Sequence, residues 1–507
     1  MNRHLPRLTQ AVAFVGTLAF ASAGGARAQG YAPSQHAADH GDCARLTQLS
    51  LPDVKITEAV VVPASTGPLK VAHCRVGGVI GTEIKFSLLL PDDWNHKFVM
   101  GGGGGFVGSV QNQAQSSIKA GYATAGTDTG HTGGMVDARW ALHNIPRQLS
   151  YAYLGVHRTA LVAKDILRAY YGSNETRSYF SGCSNGGRQA LMEAQRYPDD
   201  FDGIVAGAPA ADFTGIGAQF IKDTRAQFPD SKNLTTLLPP ETMRTVAAQI
   251  LNACDALDGV KDGVLDDPRR CKVDVATFTG LSAAQQTALK AIYGPTIVRG
   301  ETVLPGQPFG GEGEMAGWPK WISGAVPRPA QASSASLRYN FGTQLFKFFV
   351  FDDPDWDYSK YDLSTFRADT KRLASILNAT NADLSPFKAR GHKLLIWHGW
   401  ADAGLTPLAT IKYYDAIKAL DPKADEFVRM FMMPGVLHCE GGAGPDNVDW
   451  TAVIDAWLDG GRAPDRIVAR KLAGTTVTRS RPLCAYPRHA EYAGSGSTDD
   501  ERSFRCR

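Results

Sequence analysis

Beyond residue 28 the sequence holds no run approaching the roughly 18 uninterrupted apolar residues that a membrane helix requires, so a spanning protein is not expected. An excess of charge is missing too. The 507 residues carry 53 Lys and Arg against 50 Asp and Glu, and the first 28 hold three of the basic ones, Arg3, Arg7 and Arg27, with no acid. The remainder balances at 50 against 50. A chain without a global basic footprint is a poor partner for nucleic acid or an anionic membrane surface. No Cys-x-x-Cys spacing occurs, which argues against a cytosolic zinc site. Low-complexity segments and internal repeats are absent as well, so the sequence reads as neither a disordered chain nor a solenoid.

What is present begins with an export signal: basic Arg3 and Arg7, an apolar run from Ala11 to Ala21, and small residues ending Ala26-Arg27-Ala28. Residues 1–28 are therefore expected to be a signal peptide and the mature protein to be secreted or periplasmic. All eight cysteines, Cys43, Cys74, Cys183, Cys254, Cys271, Cys439, Cys484 and Cys506, lie beyond that cut. An even number in an oxidising compartment predicts disulfides. With 43% hydrophobic residues, 53 Gly and 28 Pro, the rest reads as a loop-rich globular protein.

Short β-rich runs follow Val71: Glu83 to Leu90, Lys97 to Met100 leading into five glycines, Tyr122 to Ala125, and Ser178 to Ser181. They alternate with helical stretches at Val156–Tyr170 and from about Asn185 to Arg196, and Gly203 to Gly207 adds another strand. Alternating strands and helices with continuous apolar strands predict a mostly parallel sheet covered on both faces, the α/β class. The pattern stops near Asp212 and resumes at Lys393–Trp397, followed by a helix near Ala409–Leu420, a strand at Phe427–Met432 and a helix near Val448–Leu458. The expected organisation is one core in two parts, 29–211 and 391–507, interrupted by an insertion at 212–390 large enough to be a lid domain.

Gly182-Cys183-Ser184-Asn185-Gly186 lies between a strand and a helix, as a nucleophile elbow requires. Alone the pentad is weak, since a sequence with 53 glycines forms ordinary Gly-rich turns readily. Its partners must follow in the order Ser, Asp, His. Asp402 comes just after the strand ending at Trp397, and His438 just after the strand ending at Met432, each where the carboxyl end of a parallel strand would present it. Cys183 precedes Ser184 and Cys439 follows His438. If Ser184 and His438 share a hydrogen bond, the two cysteines come within reach of a bridge that would tie nucleophile and base together.

Gly-Cys-Ser-Asn-Gly-Gly, His-Gly-Trp-Ala-Asp and the His-Cys pair together resemble the tannase and feruloyl esterase family over essentially the whole mature chain. The resemblance implies an α/β-hydrolase core with a large lid, a disulfide joining the cysteines beside the catalytic Ser and His, Ser184 as nucleophile, His438 as general base and then acid, and Asp402 as the group orienting the imidazole. His398 is expected to be structural or to line the pocket, because Cys439 marks His438 as the base. For the oxyanion, the Asn185 amide is the usual first donor and the run Gly101–Gly105 can supply the second, with Gly105 expected and Gly104 the alternative. That run could instead cradle a phosphate, but no Gly-Lys-Ser/Thr follows it.

Between Cys254 and Cys271, Asp255, Asp258 and Asp262 are spaced by turn-forming glycines and could converge on a hard cation, or form solvated Asp-Gly turns. The EF-hand spacing is absent. The loop resembles the family's calcium site, which implies a structural Ca2+ held by Asp255, Asp258 and Asp262 through side chains and by Val260 and Val264 through carbonyls. The remaining cysteines are expected to pair locally, Cys43 with Cys74, Cys254 with Cys271 and Cys484 with Cys506. Trp318 through Tyr361 holds 11 aromatics in 44 residues, against 9% overall. Most are expected to form the insertion's own core, leaving Trp318, Phe341 or Phe346 to stack on an aromatic acyl group. Arg338 is read as a solvated surface residue or a partner for a substrate carboxylate. The expectation is a secreted serine esterase acting on phenolic acid esters such as feruloyl or galloyl esters. The alternatives are a terephthalate half-ester hydrolase of the same family, a serine peptidase, or an inactive binding module.

Overall fold

The computed structural model describes residues 40–324 and 335–507, with the backbone of residues 328 and 329. The expected leader at 1–28 lies outside the described residues. Nine strands form the central sheet: β1 (Val54–Val62), β2 (His73–Ile80), β3 (Ile84–Pro91), β4 (Lys97–Gly101), β5 (Ala123–Thr127), β6 (Arg177–Cys183), β7 (Gly203–Gly207), β8 (Lys393–Gly399) and β9 (Val428–Met433). Their order is β1-β2-β3-β5-β4-β6-β7-β8-β9. From β5 to β9 every neighbouring pair is parallel, while β1, β2 and β3 add an antiparallel edge.

Successive side chains on a strand point to opposite faces, and these strands bury both. Phe98, Phe180, Ile204, Ile396 and Met430 enter one core, and their neighbours Val99, Tyr179, Val205, Leu395 and Phe431 enter another. Helix α1 (Gly155–Tyr171) covers the first face with Val156, Ala160, Ala163, Ile166, Leu167 and Tyr170, a spacing of three and four that forms one apolar stripe. It ends at Gly172, whose φ of 68° suits a left-handed cap. On the other face a helix at Trp450–Gly460, capped by the Asp449 side chain on the Ala452 amide, packs Ile454 and Trp457 against the strands. This layering agrees with the expected α/β-hydrolase core.

The strand at Val54–Val62 departs from the expectation, which starts the β-rich region at Val71. It is an edge strand with only Ile56 buried, so the period-2 burial that marks a strand in sequence is nearly absent from it. Between β7 and β8 the chain is largely helical, with α2 (Phe213–Gln227), α3 (Pro240–Cys254) and α4 (Leu337–Leu345). Met243, Val246, Ile250, Leu289, Ile292, Trp318, Trp321 and Ile322 form a separate apolar cluster there.

Candidate active site

Ser184 sits between the end of β6 and the helix Asn185–Arg196 with φ 65° and ψ −122°, a backbone that residues with a side chain seldom adopt. The surroundings hold it there. The Ser184 amide donates to the Gly207 carbonyl (3.0 Å), and the Ser184 carbonyl accepts from Arg188 (3.0 Å) and Ala210 (3.1 Å). The Gln113 side chain accepts from the Cys183 amide at 2.8 Å. A Cβ on Gly182 would lie 2.6 Å from the Gly186 carbonyl carbon, and one on Gly186 would lie 2.2 Å from Gln113 Oε1, so both glycines permit the sharp turn by having none.

The loops after β8 and β9 bring Asp402 and His438 to the same place. His438 Nε2 is 2.8 Å from Ser184 Oγ, and His438 Nδ1 is 2.7 Å from Asp402 Oδ2. A carboxylate accepts only, so Nδ1 carries the proton and Nε2 is free to accept from the serine hydroxyl. Asp402 is fully buried, with Oδ1 accepting from the amides of Gly404 (2.7 Å) and Leu405 (2.9 Å). Burial works to raise the Asp402 carboxyl, but the adjacent His438 and the hydrogen bonds from His398 and His438 outweigh it, and the group stays well below the usual carboxylate range. Cys183 and Cys439 are bridged with Cα atoms 5.9 Å apart. Cys43–Cys74, Cys254–Cys271 and Cys484–Cys506 also pair as expected, and no described cysteine is free.

The glycine run lies beside Ser184 and Asn185. The Gly103 amide donates to Gln189 Oε1 (3.0 Å) and the Gly104 amide to Gln111 Oε1 (2.8 Å), so Gly104, the alternative oxyanion donor, is already engaged. Gly105 faces the cleft beside Ser184 and Asn185. Its φ is 54°, and a Cβ there would stand 2.5 Å from the Met135 carbonyl oxygen, so only glycine fits. Among the described residues neither its amide nor that of Asn185 meets a protein acceptor. Sequence reasoning missed the support behind them. Asn185 Nδ2 donates to the Gly103 carbonyl (2.9 Å), while fully buried Arg188 donates to Asn185 Oδ1 (2.8 Å) and to the Ala152 and Tyr151 carbonyls. The Tyr151 hydroxyl lies 2.9 Å from both the Gly105 carbonyl and Asn185 Oδ1. Only the helical position of Arg188, one turn beyond Ser184, offered a signal in sequence.

A cleft with about 470 Å³ of empty space, part of it open to solvent, leads to Ser184. Phe106, Phe213, Phe220, Trp321 and Phe341 line it with Ile216 and Leu405. Phe341 is where the sequence placed it. Trp318 and Phe346 are not: Trp318 is fully buried against Tyr293, and Phe346 is fully buried against Trp356 and Tyr361 in an apolar cluster that also takes in Phe106, Trp140 and Tyr151. Trp321, which the sequence did not single out, takes their place. Arg338 is neither solvated nor open to a substrate. It is 1% exposed, paired with buried Asp223, and donates to the Ala403 carbonyl (3.0 Å) and to Gln307 Oε1 (2.7 Å). Gln307 Nε2 in turn donates to the Asp402 carbonyl (2.6 Å), so Arg338 braces the Asp402 loop from behind. An inward helix face with an acidic neighbour across it made this a buried pair.

In the acidic loop, Asp255 accepts from the Gly263 amide (3.0 Å), Asp258 from Val260 (3.0 Å) and Asp262 from Val264 (3.2 Å), and Asp262 also pairs with Arg481 (2.6 Å). Asp266, absent from the expected set, is buried with Oδ2 lacking a partner. Burial and the nearby Asp258 push its carboxyl up to about 8. An orphaned buried oxygen beside like charges is the donor set a hard cation would satisfy. The carboxylates are not drawn together: among the described residues, only His157, Glu193 and Asp200 have ligand atoms all within 4.8 Å of one another.

A profile of the family described as tannase and feruloyl esterase matches residues 69–507. An uncharacterized esterase of Xanthomonas campestris is 35% identical, with 92% of this chain and 91% of that protein aligned. A mono(2-hydroxyethyl) terephthalate hydrolase of Piscinibacter sakaiensis is 30% identical over 86% of this chain and 84% of its own. The crystal structure of feruloyl esterase B from Aspergillus oryzae superposes with a TM-score of 0.81 at 26% identity, covering 92% of this chain and all of that one. A serine held by imidazole and carboxylate beneath a glycine loop is what ester hydrolysis needs, and the sequence around it is shared over nearly the whole length: this chain belongs to the tannase and feruloyl esterase family and is a carboxylic ester hydrolase.

Proposed function

We propose that this enzyme hydrolyses esters of hydroxycinnamic acids of the feruloyl type through an acyl-enzyme on Ser184. The observation that carries the reading is the aromatic cleft ending at a serine already 2.8 Å from its base. Ser184 Oγ attacks the ester carbonyl as His438 Nε2 takes its proton, and the developing oxyanion is met by the amides of Asn185 and Gly105. His438 returns the proton to the leaving alcohol. A water then repeats the sequence on the acyl-enzyme. Asp402, ionised and acceptor-only, holds the imidazole in the tautomer both halves require.

None of the described cleft residues is charged, which favours a neutral ring over the free carboxylate of a terephthalate half-ester, and few are polar, which disfavours the three hydroxyls of a galloyl group. A panel of methyl ferulate, methyl gallate, chlorogenate and a terephthalate half-ester tests this. Highest kcat/KM on methyl ferulate or chlorogenate is expected, and preference for the half-ester would replace the reading with its rival. Fluorophosphonate labelling of Ser184, lost in Ser184→Ala, tests the mechanism and would exclude a binding module.

A structural Ca2+ at the loop 255–266 is part of the proposal, held by Asp255, Asp258 and Asp262 with the carbonyls of Val260 and Val264, and with Asp266 added. Bound there, the ion would draw together and neutralise the loop's carboxylates and pin the loop that the Cys254–Cys271 bridge closes. Export completes it: four disulfides call for an oxidising compartment, which the Arg3 to Ala28 signal would reach.

A further inference from the structure

His398 is the one imidazole besides His438 that touches Asp402 among the described residues. It lies in β8, four residues before Asp402, with no exposed surface. Its Nε2 is 3.0 Å from Asp402 Oδ2 and 3.2 Å from the Leu405 carbonyl. Both are pure acceptors at pH 7, so Nε2 must carry a proton. Its Nδ1 lies 2.8 Å from Thr410 Oγ1, a hydroxyl able to donate to it. The ring is therefore satisfied as the Nε2–H tautomer, donating from Nε2 and accepting at Nδ1 from the Thr410 hydroxyl.

The oxygen it meets is the one that matters. Asp402 Oδ2 also accepts from His438 Nδ1, so two imidazole N–H groups share one carboxylate oxygen while two amides hold the other. Four donors fix the rotation of the carboxylate. A carboxylate oxygen divided between two donors binds each less tightly than an undivided one, and the positive end of the His398 N–H dipole faces the proton on His438 Nδ1.

We propose that His398 is a positioning residue for hydrolysis, which through Asp402 Oδ2 holds the carboxylate in the rotation that orients His438. The inference rests on the Ser184 mechanism proposed above. The Ser184 proton moves to His438 Nε2 and on to the leaving alcohol, and His398 takes no part in that transfer. The other titratable groups facing this carboxylate are His438 and, behind the Asp402 loop, the buried Arg338–Asp223 pair.

The two amide substitutions of histidine separate this from a packing role. A glutamine amide reaches about where imidazole Nε2 stands, and an asparagine amide only about as far as Nδ1. In His398→Asn, Asp402 loses its second imidazole donor. The expected result is kcat down on the order of tenfold to a hundredfold from the loosened carboxylate, with KM little changed. His398→Gln is expected to return kcat most of the way. Thr410→Val strips Nδ1 of its hydrogen bond without touching Asp402, and is expected to cost stability but leave kcat in place. A folded His398→Asn with wild-type kcat, or an equal loss of kcat in Thr410→Val, would overturn the proposal. Should the variants not fold, nitrogen-15 histidine spectra of the wild-type enzyme decide it: His398 is expected to be the Nε2–H tautomer, and a His398 that carries its proton on Nδ1 contradicts the role. Failure of fluorophosphonate to label Ser184 would defeat the underlying mechanism instead, and is read separately.

Discussion

Trp321 stands edge-on to His438, with ring centroids 4.6 Å apart and planes at 72°, and stacks at 6.1 Å on Phe341 across the cleft. One indole thus touches both His438 and the wall of the cleft. Edge-to-face pairs of this kind contribute about 0.5–1.5 kcal/mol. Trp321→Ala is expected to lower kcat/KM for methyl ferulate by about tenfold or more, and for a short acetyl ester by less. Equal losses on both esters would confine Trp321 to supporting His438.

The Cys183–Cys439 bridge flanks both Ser184 and His438, where a displacement of about 1 Å can cost on the order of a hundredfold in rate. The double variant Cys183→Ala, Cys439→Ala is expected to fold at low temperature and to turn over slowly. Unfolding and kcat measured together check this. Full activity with lowered stability would reduce the bridge to a staple.

Chelation is expected to lower the melting temperature by several degrees before it alters kcat, and calcium to restore it where magnesium does not. Purified protein is expected to carry about one metal ion per chain. Metal-free protein whose melting temperature ignores both chelator and calcium would return Asp255, Asp258 and Asp262 to ordinary turns.

His131 is buried beneath Trp140, donates from Nε2 to the Phe106 carbonyl (2.9 Å), and is lowered by burial to about 4. Unfolded, the ring titrates near 6.5. Between those values the unfolded chain binds the extra proton, so stability falls as pH drops from about 6.5 to about 4, by on the order of 3 kcal/mol. Asp128, raised to about 6 by burial, works the other way, its destabilisation growing as pH rises from about 4 to about 6. Denaturant unfolding of His131→Gln against wild type at about pH 4.5 and about pH 7.5 isolates the histidine. The variant is expected to lose less stability on acidification, and an identical loss would refute the assignment.

That Ser184, Asp402 and His438 would meet was legible in the sequence because ligands collect at the carboxyl ends of parallel strands, and buried strands announce themselves as unbroken apolar runs such as the one ending at Trp397. Residues whose type matches their chemistry, Ser184, Asp402 and His438, stood out for the same reason. Arg338 did not, because an arginine says nothing of burial until its partner Asp223, 115 residues earlier, is placed beside it. Trp321 was one aromatic among 11 in its stretch, and which of them faced the cleft depended on the packing of the insertion. The supports behind the glycine loop, Gln111, Gln189, Tyr151 and Arg188, are polar residues of no distinctive spacing, joined only by the fold.

The Cys183–Cys439 bridge also dates the enzyme's birth. Its two halves are 256 residues apart, and the second follows the whole insertion. While the ribosome is still short of Cys439, the chain cannot close that bridge. The final clasp then waits for an oxidant. With the bridge's expected effect on rate and the export proposed above, full activity would be acquired last and outside the cell's reducing interior.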